Sequence, residues 1–394
     1  MSSERGRLLV VDDVEANRDL LARRLRQLGH SVTSAASGRG ALELVETHEF
    51  DLILLDIMMP EMDGYEVLAR LQANPERKHI PIIMISAVDE IESVVRCVEL
   101  GATDYLPKPF NAVLLKARVH ATLEKKRLRD REQLHARSLE REMEIGRQIQ
   151  ASFLPEKLPS PEGWEVAAFF RPARQVAGDF YDAFTLASGR IGLVIADVCD
   201  KGVGAALFMA LFRTLIRASS ELAEPALSGM TDAAERAAAR VTNAVAWTND
   251  YIARTHGDSN MFATLFFAVL DPKTGLLTYI NGGHEPPILL TAQGSASRLP
   301  PSGPAVGLLP GQRFEVRRAQ MSPGDLFLGF TDGVTESRSP SHQDFGEDRL
   351  LALLDPFPIS ASSLLARIDG ALAAHAAGEE SFDDVTMLAV RRRA

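Results

Sequence analysis

The sequence predicts an α/β protein in which a charged helix joins two globular domains. Its 394 residues are too many for one ordinary hydrophobic core, so we expect two or three domains. In residues 1–122, short apolar runs alternate with segments of helical period, which is typical of a doubly wound parallel sheet. In residues 156–394, strand-length apolar runs dominate and two long helical segments interrupt them. This second pattern indicates a separate, sheet-rich domain.

Composition narrows the class of protein. Hydrophobic residues make up 46% of the chain and charged residues 24%, values typical of a soluble globular protein. The formal net charge of -10 argues against a nucleic-acid-binding protein, which would present a basic face. The two cysteines, Cys97 and Cys199, are too few for a disulfide framework and fit a reducing cytosol. The polar N-terminus lacks a signal-peptide core, and the strongest apolar stretch, residues 263–270, is only strand-length. We therefore expect a cytoplasmic protein that does not enter a membrane.

The N-terminal apolar runs read as buried parallel strands because they are rich in β-formers and do not alternate with polar residues. They cover residues 8–11, 52–55, 80–85 and 104–106, which are the first, third, fourth and fifth strands of the predicted sheet. Between them, leucines and valines recur at helical spacing. In a doubly wound sheet the ligand site lies at the carboxyl ends of the strands, so the residues directly after these runs are the candidate functional residues.

Polar residues follow these strands. Asp12 and Asp13 come after the first strand, and Asp56 ends the third. Three carboxylates at one edge make a pocket for a divalent cation, because such cations prefer oxygen ligands. Ser86 ends the fourth strand and Lys108 follows the fifth, and a hydroxyl and an ammonium beside that cation can hold a phosphoryl group.

This arrangement resembles the response-regulator receiver domain, of flavodoxin-like fold, over residues 6–122, and Pro60, Asp63 and Gly64 agree with it too. The resemblance implies that Asp56 is the phosphoacceptor and that a histidine kinase is the phosphodonor. It implies one Mg²⁺, held by Asp12, Asp13, Asp56 and the backbone carbonyl of Met58. It also implies three switch residues, Ser86, Tyr105 and Lys108, and a cis Lys108–Pro109 peptide bond, a geometry that only proline allows cheaply.

A charged segment links the two domains. Neither glycine nor proline occurs between Phe110 and Ile145, and 13 of the 21 residues in 124–144 are charged, which favours one continuous helix. Its apolar residues follow heptad spacing only loosely. Two arrangements stay open: a dimeric coiled coil, giving a homodimer through the receiver face and this helix, or a solvated helix folded onto its own domain. Gly146 is either a hinge or a point of close packing. We place the receiver domain at 1–122, the helical linker at 123–155 and the second domain at 156–394.

The second domain contains six strand-length runs, two helices and two loop-like segments. The predicted strands cover residues 164–170, 191–196, 263–270, 277–280, 326–330 and 386–390. The predicted helices cover residues 205–218 and 233–253. Small-residue or Pro/Gly-rich composition predicts loops at 218–238 and 293–310.

Four aspartates in this domain stand where an apolar run gives way to small or polar residues: Asp179, Asp197, Asp332 and Asp383. Carboxylates that converge from several strand ends repel one another. A shared Mg²⁺ or Mn²⁺ is the usual way to relieve that repulsion.

In their order along the chain and in their residue sequence, the segments around these aspartates resemble the PPM-type (PP2C-like) serine/threonine phosphatases. They resemble most specifically the bacterial branch of sporulation and general-stress phosphatases. The resemblance implies an α-β-β-α sandwich and a hydrolase with two Mg²⁺ or Mn²⁺ ions. Asp197 would bridge the ions, the Val198 carbonyl would complete one coordination shell, and Asp332 and Asp383 would each ligate one ion. Asp179 would lie in the first shell or directly behind it. Two such ions can hold a bridging water in line with a phosphoester, so the catalytic water would be held by Asp197, Asp332 and Asp383.

Three residues beside these aspartates need separate comment. Asp200 stands where glycine or serine is more usual in the family, and Asn281 stands where alanine is common. His284 either acts as a general acid or orients the loop that begins at Glu285.

Residues 143–155 resemble the regulatory helix that precedes this phosphatase branch.

The whole chain therefore reads as a two-component response regulator whose output is the dephosphorylation of phosphoserine or phosphothreonine on a protein. By resemblance, the substrate is an anti-sigma-factor antagonist in a partner-switching pathway. The alternative is a phosphorylation-gated adaptor or scaffold that binds a sigma factor or an anti-sigma partner without catalysis. Adaptors of that kind typically lose metal ligands, and every ligand position is filled here. The sequence leaves open the cognate kinase, the direction of control and the choice between Mg²⁺ and Mn²⁺.

Overall fold

The computed structural model describes residues 5–86, 91–222, 232–357, 360–379 and 381–394. The chain forms two compact units, Met1–Leu139 and Glu140–Ala394, and the boundary between them falls inside one long helix. The predicted fold class is confirmed: a doubly wound α/β unit, a helical stretch and a sheet-rich sandwich follow one another along the chain.

The first unit is a five-stranded parallel sheet, β2-β1-β3-β4-β5, with helices between the strands. Its elements in chain order are β1 (Arg7–Val11), α1 (Glu15–Gln27), β2 (Ser31–Ala35), α2 (Gly38–Thr47), β3 (Leu52–Asp56), α3 (Gly64–Ala73), β4 (Ile82–Ser86), α4 (Ile91–Glu99), β5 (Asp104–Pro107) and α5 (Ala112–Phe153).

The central strands are buried on both faces, as a continuous apolar run predicts. All five residues of β3 are buried. Side chains of one parity, such as Leu55, pack in one core layer, and those of the other parity, such as Leu54, pack in the opposite layer. Asp56 ends β3, so its carboxylate emerges at the carboxyl edge of the sheet, where the candidate site lies.

Helix α5 is continuous over 42 residues, longer than the glycine-free segment that predicted it. It passes through Gly146, where an added Cβ would meet only Val176 Cγ1, at 3.8 Å. Close packing therefore does not require a glycine at this position, and the hinge stays a prediction. Leu134 and Ile149 are among the apolar side chains that α5 exposes. Dimer formation through this helix also stays a prediction.

The second unit contains two five-stranded antiparallel sheets, in the orders β13-β10-β9-β8-β7 and β12-β11-β14-β15-β6. Its strands are β6 (Trp164–Arg171), β7 (Phe180–Thr185), β8 (Ile191–Val198), β9 (Ala263–Leu270), β10 (Leu276–Gly282), β11 (Ile288–Leu290), β12 (Ala296–Arg298), β13 (Arg317–Gln320), β14 (Leu326–Phe330) and β15 (Val385–Arg392). Its helices are α6 (Val203–Leu222), α7 (Ala233–Thr255), α8 (Asp332–Thr335), α9 (Glu347–Ala352) and α10 (Ala361–Ala376).

The two sheets stack on each other and helices cover their outer faces. Phe266 of one sheet and Phe327 of the other meet in the layer between them, with ring centroids 5.4 Å apart. Helices α6 and α7 pack on the outside of the first sheet. Helix α10 packs on the outside of the second. This layering is the α-β-β-α sandwich that was predicted.

Helix α6 is long and apolar enough, by length and composition alone, to cross a membrane, with a mean hydropathy of 1.3. This segment passes a test of length and composition that the strand-length run at residues 263–270 is too short to enter. Met209, Phe212 and Ile216 recur on one helical face and are fully buried in the core below the sheet. That arrangement is the one a core helix shows.

Several segments differ from their prediction, among them β12 (Ala296–Arg298), which lies inside the predicted loop at 293–310. Two of the differences have clear local reasons. Helix α6 runs four residues past its predicted end at 218, into the predicted loop, because the Ser220 hydroxyl donates to the Ile216 carbonyl (2.6 Å) and needs no solvent partner. Strand β7 was missed because Asp182 interrupts its apolar pattern. That carboxylate is buried and is paired with Arg213 and Arg217, at 3.2 Å and 3.3 Å. Residues 223–231 of the predicted loop lie outside the described residues.

Candidate phosphoacceptor site and metal centre

The first unit brings three predicted carboxylates together at the carboxyl edge of its sheet. Asp12, Asp13 and Asp56 each offer an oxygen, and these oxygens all lie within 4.8 Å of one another. Asp12 and Asp56 are buried and Asp13 is exposed, so the group opens to solvent on one side. An oxygen-only donor set of this size fits Mg²⁺.

A single ammonium partly balances this negative charge. Lys108 Nζ lies 2.8 Å from Asp56 Oδ2 and 2.9 Å from Asp12 Oδ2. Burial raises the pKa of Asp56, and Asp12 and Asp13 raise it further, while Lys108 opposes them. Among the described side chains, the three carboxylates face this one ammonium, while the Arg18 guanidinium donates to the backbone carbonyls of Asp12 and Asp13. The excess of negative charge would favour a divalent ion.

The remaining predicted receiver residues lie at the same edge. Ser86 ends β4, and its carbonyl accepts from the Lys108 amide at 2.6 Å. Tyr105 lies in β5, half-buried, with the Arg118 guanidinium 5.3 Å from its ring centroid. Met58 follows β3 with an exposed side chain. The Lys108–Pro109 peptide bond is cis, as predicted. The roles of these residues stay predictions.

The four predicted aspartates of the second unit lie at the ends of four different secondary-structure elements. Asp179 precedes β7, Asp197 is the penultimate residue of β8, Asp332 begins α8 directly after β14, and Asp383 lies two residues before β15. They are less tightly clustered than the receiver carboxylates: among the described residues, no three of them bring their oxygens within 4.8 Å of one another. They are nevertheless close enough to perturb one another's ionisation.

Burial and the charges of neighbouring carboxylates raise the pKa values of Asp197 and Asp332. Burial raises the pKa of Asp197 to about 7, with Asp332 as the next cause. Burial likewise raises the pKa of Asp332 to about 6, with Asp383 as the next cause. Carboxylates that cannot all ionise without a counter-charge are typical of a cation site.

Asp179 acts on Asp197 directly. Burial holds the pKa of Asp179 well above its usual range, and the charge of Asp197 raises it further. The Asp179 side chain is hydrogen-bonded to that of Asp197 and accepts a hydrogen bond from Thr331 Oγ1 at 2.7 Å. In this structure Asp179 therefore orients another carboxylate, which favours a place behind the first coordination shell.

The carbonyl of Val198 lies beside a glycine that leaves it uncovered. A Cβ on Gly178 would lie 2.8 Å from this oxygen, closer than real Cβ contacts allow. The absence of a side chain at Gly178 thus preserves a gap beside a candidate ligand. Together with the oxygen-only donor set, this gap fits a divalent cation.

Asp384 is a site residue that the sequence reasoning missed. Its Oδ1 accepts from the Ala173 amide at 2.7 Å and its Oδ2 accepts from the Gly178 amide at 2.9 Å. Both oxygens are thus engaged with backbone, so Asp384 fixes the segment that leads into Asp179. The sequence did show two adjacent aspartates at 383–384. Only the structure shows that the second of them accepts from backbone amides, which leaves Asp383 as the candidate ligand.

His284 is placed as an orienting residue and not as a general acid. It is fully buried, and burial lowers its pKa to about 3. Its Nδ1 lies 3.0 Å from Thr264 Oγ1, and its amide donates to Asn281 Oδ1 at 2.8 Å. Asn281 Nδ2 donates in turn to the His284 and Leu299 carbonyls. The asparagine that departs from the family pattern therefore braces this turn.

Replacing Gly333 with alanine is expected to destabilise the second unit by about 3 kcal/mol, the upper end for overpacking. An added Cβ would lie 1.9 Å from the Asp384 carbonyl oxygen, which belongs to the backbone and cannot turn away. Urea unfolding measures the change. Gly370→Ala is the matched control, because its Cβ would meet nothing within 4 Å and alanine favours a helix. Equal stability of the two variants would contradict the prediction.

The stabilisation that Mn²⁺ gives should grow between about pH 4 and pH 7. Because the pKa values of Asp197 and Asp332 are raised, the folded state holds their protons more tightly than the unfolded chain, and metal-free stability falls as pH rises through this window. A cation that binds the deprotonated carboxylates would offset that loss. Thermal unfolding with and without Mn²⁺ at about pH 5 and pH 7.5 tests this. In Asp197→Asn the pH dependence of the shift should shrink; an unchanged dependence would count against the assignment.

Comparison with known proteins agrees with the two sites. The response regulator receiver domain model matches residues 8–120, and the model described as Stage II sporulation protein E (SpoIIE) matches residues 187–393. Fold, sites and matches define a response regulator with a PPM-type phosphatase domain. The chain belongs to the SpoIIE family.

Each individual relative matches only a part of the chain. Protein IcfG of Synechocystis sp. is 46% identical over 262 residues, which are 64% of this chain and 41% of IcfG. Response regulator PleD of Caulobacter vibrioides is 42% identical over 116 residues, which are 29% of this chain and 26% of PleD. The chain thus spans less than half the length of either relative. A crystal structure of the RsbU and RsbW domains of a Mycobacterium tuberculosis protein is 28% identical, with a TM-score of 0.45, and the match covers 60% of this chain and 62% of that one.

Proposed function

We propose that this chain is a metal-dependent protein serine/threonine phosphatase whose activity is controlled by phosphorylation of Asp56. The observation that carries the proposal is a cluster of carboxylates at the edge of each fold unit, in which burial and neighbouring carboxylates raise the pKa values of Asp56, Asp197 and Asp332. A receiver domain implies a phosphodonor such as a histidine kinase. A PPM-type domain implies a phosphoprotein substrate.

In the second unit, Asp197, Asp332, Asp383 and the Val198 carbonyl would hold two Mg²⁺ or Mn²⁺ ions. Such ions lower the pKa of bound water and neutralise the phosphoryl oxygens. The protein's own contribution is orientation: Asp179 holds Asp197 by a hydrogen bond, and Thr331 holds Asp179. In the first unit, Asp12, Asp13, Asp56 and the Met58 carbonyl would hold one Mg²⁺.

The substrate class that we propose is a protein phosphorylated on serine or threonine, specifically an anti-sigma-factor antagonist. Support comes from the SpoIIE family match over residues 187–393. No buried cysteine–arginine pair is needed for this chemistry. Cys97 lies in the first unit and Cys199 lies two residues after Asp197, and burial raises the pKa of each thiol, which disfavours a thiolate nucleophile.

Helix α5 provides a route for control, because it begins in the first unit and ends in the second. Near its end, Gln150 is buried and pairs with the backbone of Ala177 in both directions: Nε2 donates to the carbonyl at 2.6 Å, and Oε1 accepts from the amide at 3.0 Å. Ala177 lies two residues before Asp179. A shift of α5 would therefore act on the segment that orients Asp197.

Hydrolysis of a phosphoserine protein by the full chain tests the proposal. We expect turnover with Mn²⁺ or Mg²⁺, none after chelation, and little turnover on a phosphotyrosine peptide. Phosphorylation of Asp56 by acetyl phosphate should change the rate. A chain that stays inert with every divalent cation, yet binds a partner protein only when phosphorylated, would establish the adaptor function instead.

A further inference from the structure

A lysine in the loop after β8 lies directly on one of the candidate metal ligands. Lys201 Nζ is 2.7 Å from Asp383 Oδ2 and 3.0 Å from the Phe382 carbonyl oxygen. The same ammonium is 4.3 Å from the centroid of the Phe382 ring. Three contacts therefore hold Lys201 at a carboxylate that the proposed function assigns to a divalent cation.

The loop is shaped so that Lys201 reaches this position. Asp200 and Gly202, its two neighbours, both have positive φ, 73° and 87°, and such a conformation disfavours most side chains. Asp200 nevertheless tolerates it, because its Oδ1 accepts from the Lys201 amide at 2.8 Å. The aspartate that departs from the family pattern thus supports the turn that presents Lys201.

The Phe382 ring that Lys201 contacts has a second cationic neighbour. The Arg338 guanidinium also lies 4.3 Å from the Phe382 ring centroid, and Arg338 is itself paired with Asp344 at 3.4 Å. Phe382 therefore keeps one cationic neighbour if Lys201 leaves. The Lys201 side chain is 32% exposed, so its ammonium can move into water without leaving a buried charge behind.

We propose that Lys201 is a displaceable counter-ion of Asp383, which a divalent cation must drive away in order to bind. The inference rests on the proposed metal centre. The ammonium takes the Oδ2 atom that the cation would use, and it also places a positive charge beside that cation. Both effects weaken metal binding. Lys201 is thus a positioning residue that makes occupancy of the Asp383 site depend on the 199–202 loop.

Calorimetric titration with Mn²⁺ tests this on the full chain carrying Asp13→Asn, which removes a predicted ligand of the receiver cation. Lys201→Met is expected to bind Mn²⁺ at the phosphatase centre about 3- to 10-fold more tightly, the range for loss of one partly exposed charge contact. Lys201→Arg keeps the cation and should bind like the parent. Lys273→Met, an exposed lysine in a turn of the same unit, controls for the change in net charge.

A double-mutant cycle with Asp383→Asn shows whether the effect passes through Asp383. In that background, Lys201→Met should tighten binding clearly less than it does when Asp383 is present, because only the charge effect remains. Unchanged or weaker Mn²⁺ affinity of Lys201→Met, or equal tightening with and without Asp383, would overturn the inference while leaving the metal centre intact. Absence of Mn²⁺ binding in every chain, the Asp13→Asn parent included, would instead remove the proposed function and the inference with it. Lys201→Gln repeats the test should the methionine variant fold poorly.

Discussion

Asp332→Asn is expected to lower the rate of phosphoserine hydrolysis by about a thousandfold or more while leaving the chain folded. Asp332 would be a charged ligand of one proposed ion, and asparagine offers a neutral oxygen in its place. Cation chemistry contributes several kcal/mol to a phosphoryl-transfer barrier, and about 1.4 kcal/mol corresponds to a tenfold change in rate. Initial rates with saturating Mn²⁺ measure the loss, on a phosphoserine protein and on p-nitrophenyl phosphate.

The same substitution should have the opposite effect on metal-free stability. Burial and the charge of Asp383 raise the pKa of Asp332 to about 6. Its ionised form is therefore electrostatically unfavourable when no cation is bound. A neutral asparagine relieves that repulsion, and we expect a melting temperature equal to or above that of the parent without metal. With Mn²⁺, the stabilisation that the parent shows should be reduced. Opposite signs for stability and rate distinguish a functional carboxylate from a structural one.

Asp258→Asn is the matched control, because Asp258 is an exposed aspartate of the same unit and carries the same change in charge. It should leave both the rate and the Mn²⁺ stabilisation unchanged. Full activity of a folded Asp332→Asn chain would remove Asp332 from the metal centre. Loss of activity in both variants would point to a net-charge effect instead.

The candidate ligands could be predicted because of where they stand in the sequence. Each of Asp56, Asp197 and Asp332 comes at or beside the end of a fully apolar strand, and burial of that strand fixes where the carboxylate must emerge. Strands such as Ala263–Leu270 and Leu326–Phe330 were predicted to the residue for the same reason. The apolar pattern therefore predicts both the bounds of these strands and the positions of the candidate ligands.

The residues that orient these ligands could not be predicted in this way. Asp384, Gln150 and Lys201 each act through a partner that is 27 to 211 positions away in sequence. Their roles depend on which backbone amide or carboxylate the fold brings beside them. Helix α10 was missed for a related reason: it is rich in alanine, and its few large apolar residues gave a weak periodic signal, yet Leu364 and Ile368 are fully buried.

Asp56→Asn is expected to abolish phosphate incorporation into the chain and to make phosphatase activity insensitive to a phosphodonor. Asparagine has nearly the same shape but lacks the nucleophilic carboxylate oxygen. The fold should survive, because Lys108 keeps Asp12 as a partner at 2.9 Å. Incubation with acetyl phosphate and Mg²⁺, followed by a phosphate-affinity gel, measures incorporation. Hydrolysis rates with and without beryllofluoride, a phosphoryl mimic, measure control.

Asp19→Asn, in the exposed part of α1, is the matched control and should behave like the parent in both assays. Labelling that persists in Asp56→Asn would place the phosphoacceptor elsewhere. Labelling of the parent without any change in its hydrolysis rate would show that phosphorylation of the first unit does not control the phosphatase activity of the second. A rate that changes in the parent and stays constant in Asp56→Asn would instead tie the carboxylates of the first unit to the activity of the second, whichever direction the change takes.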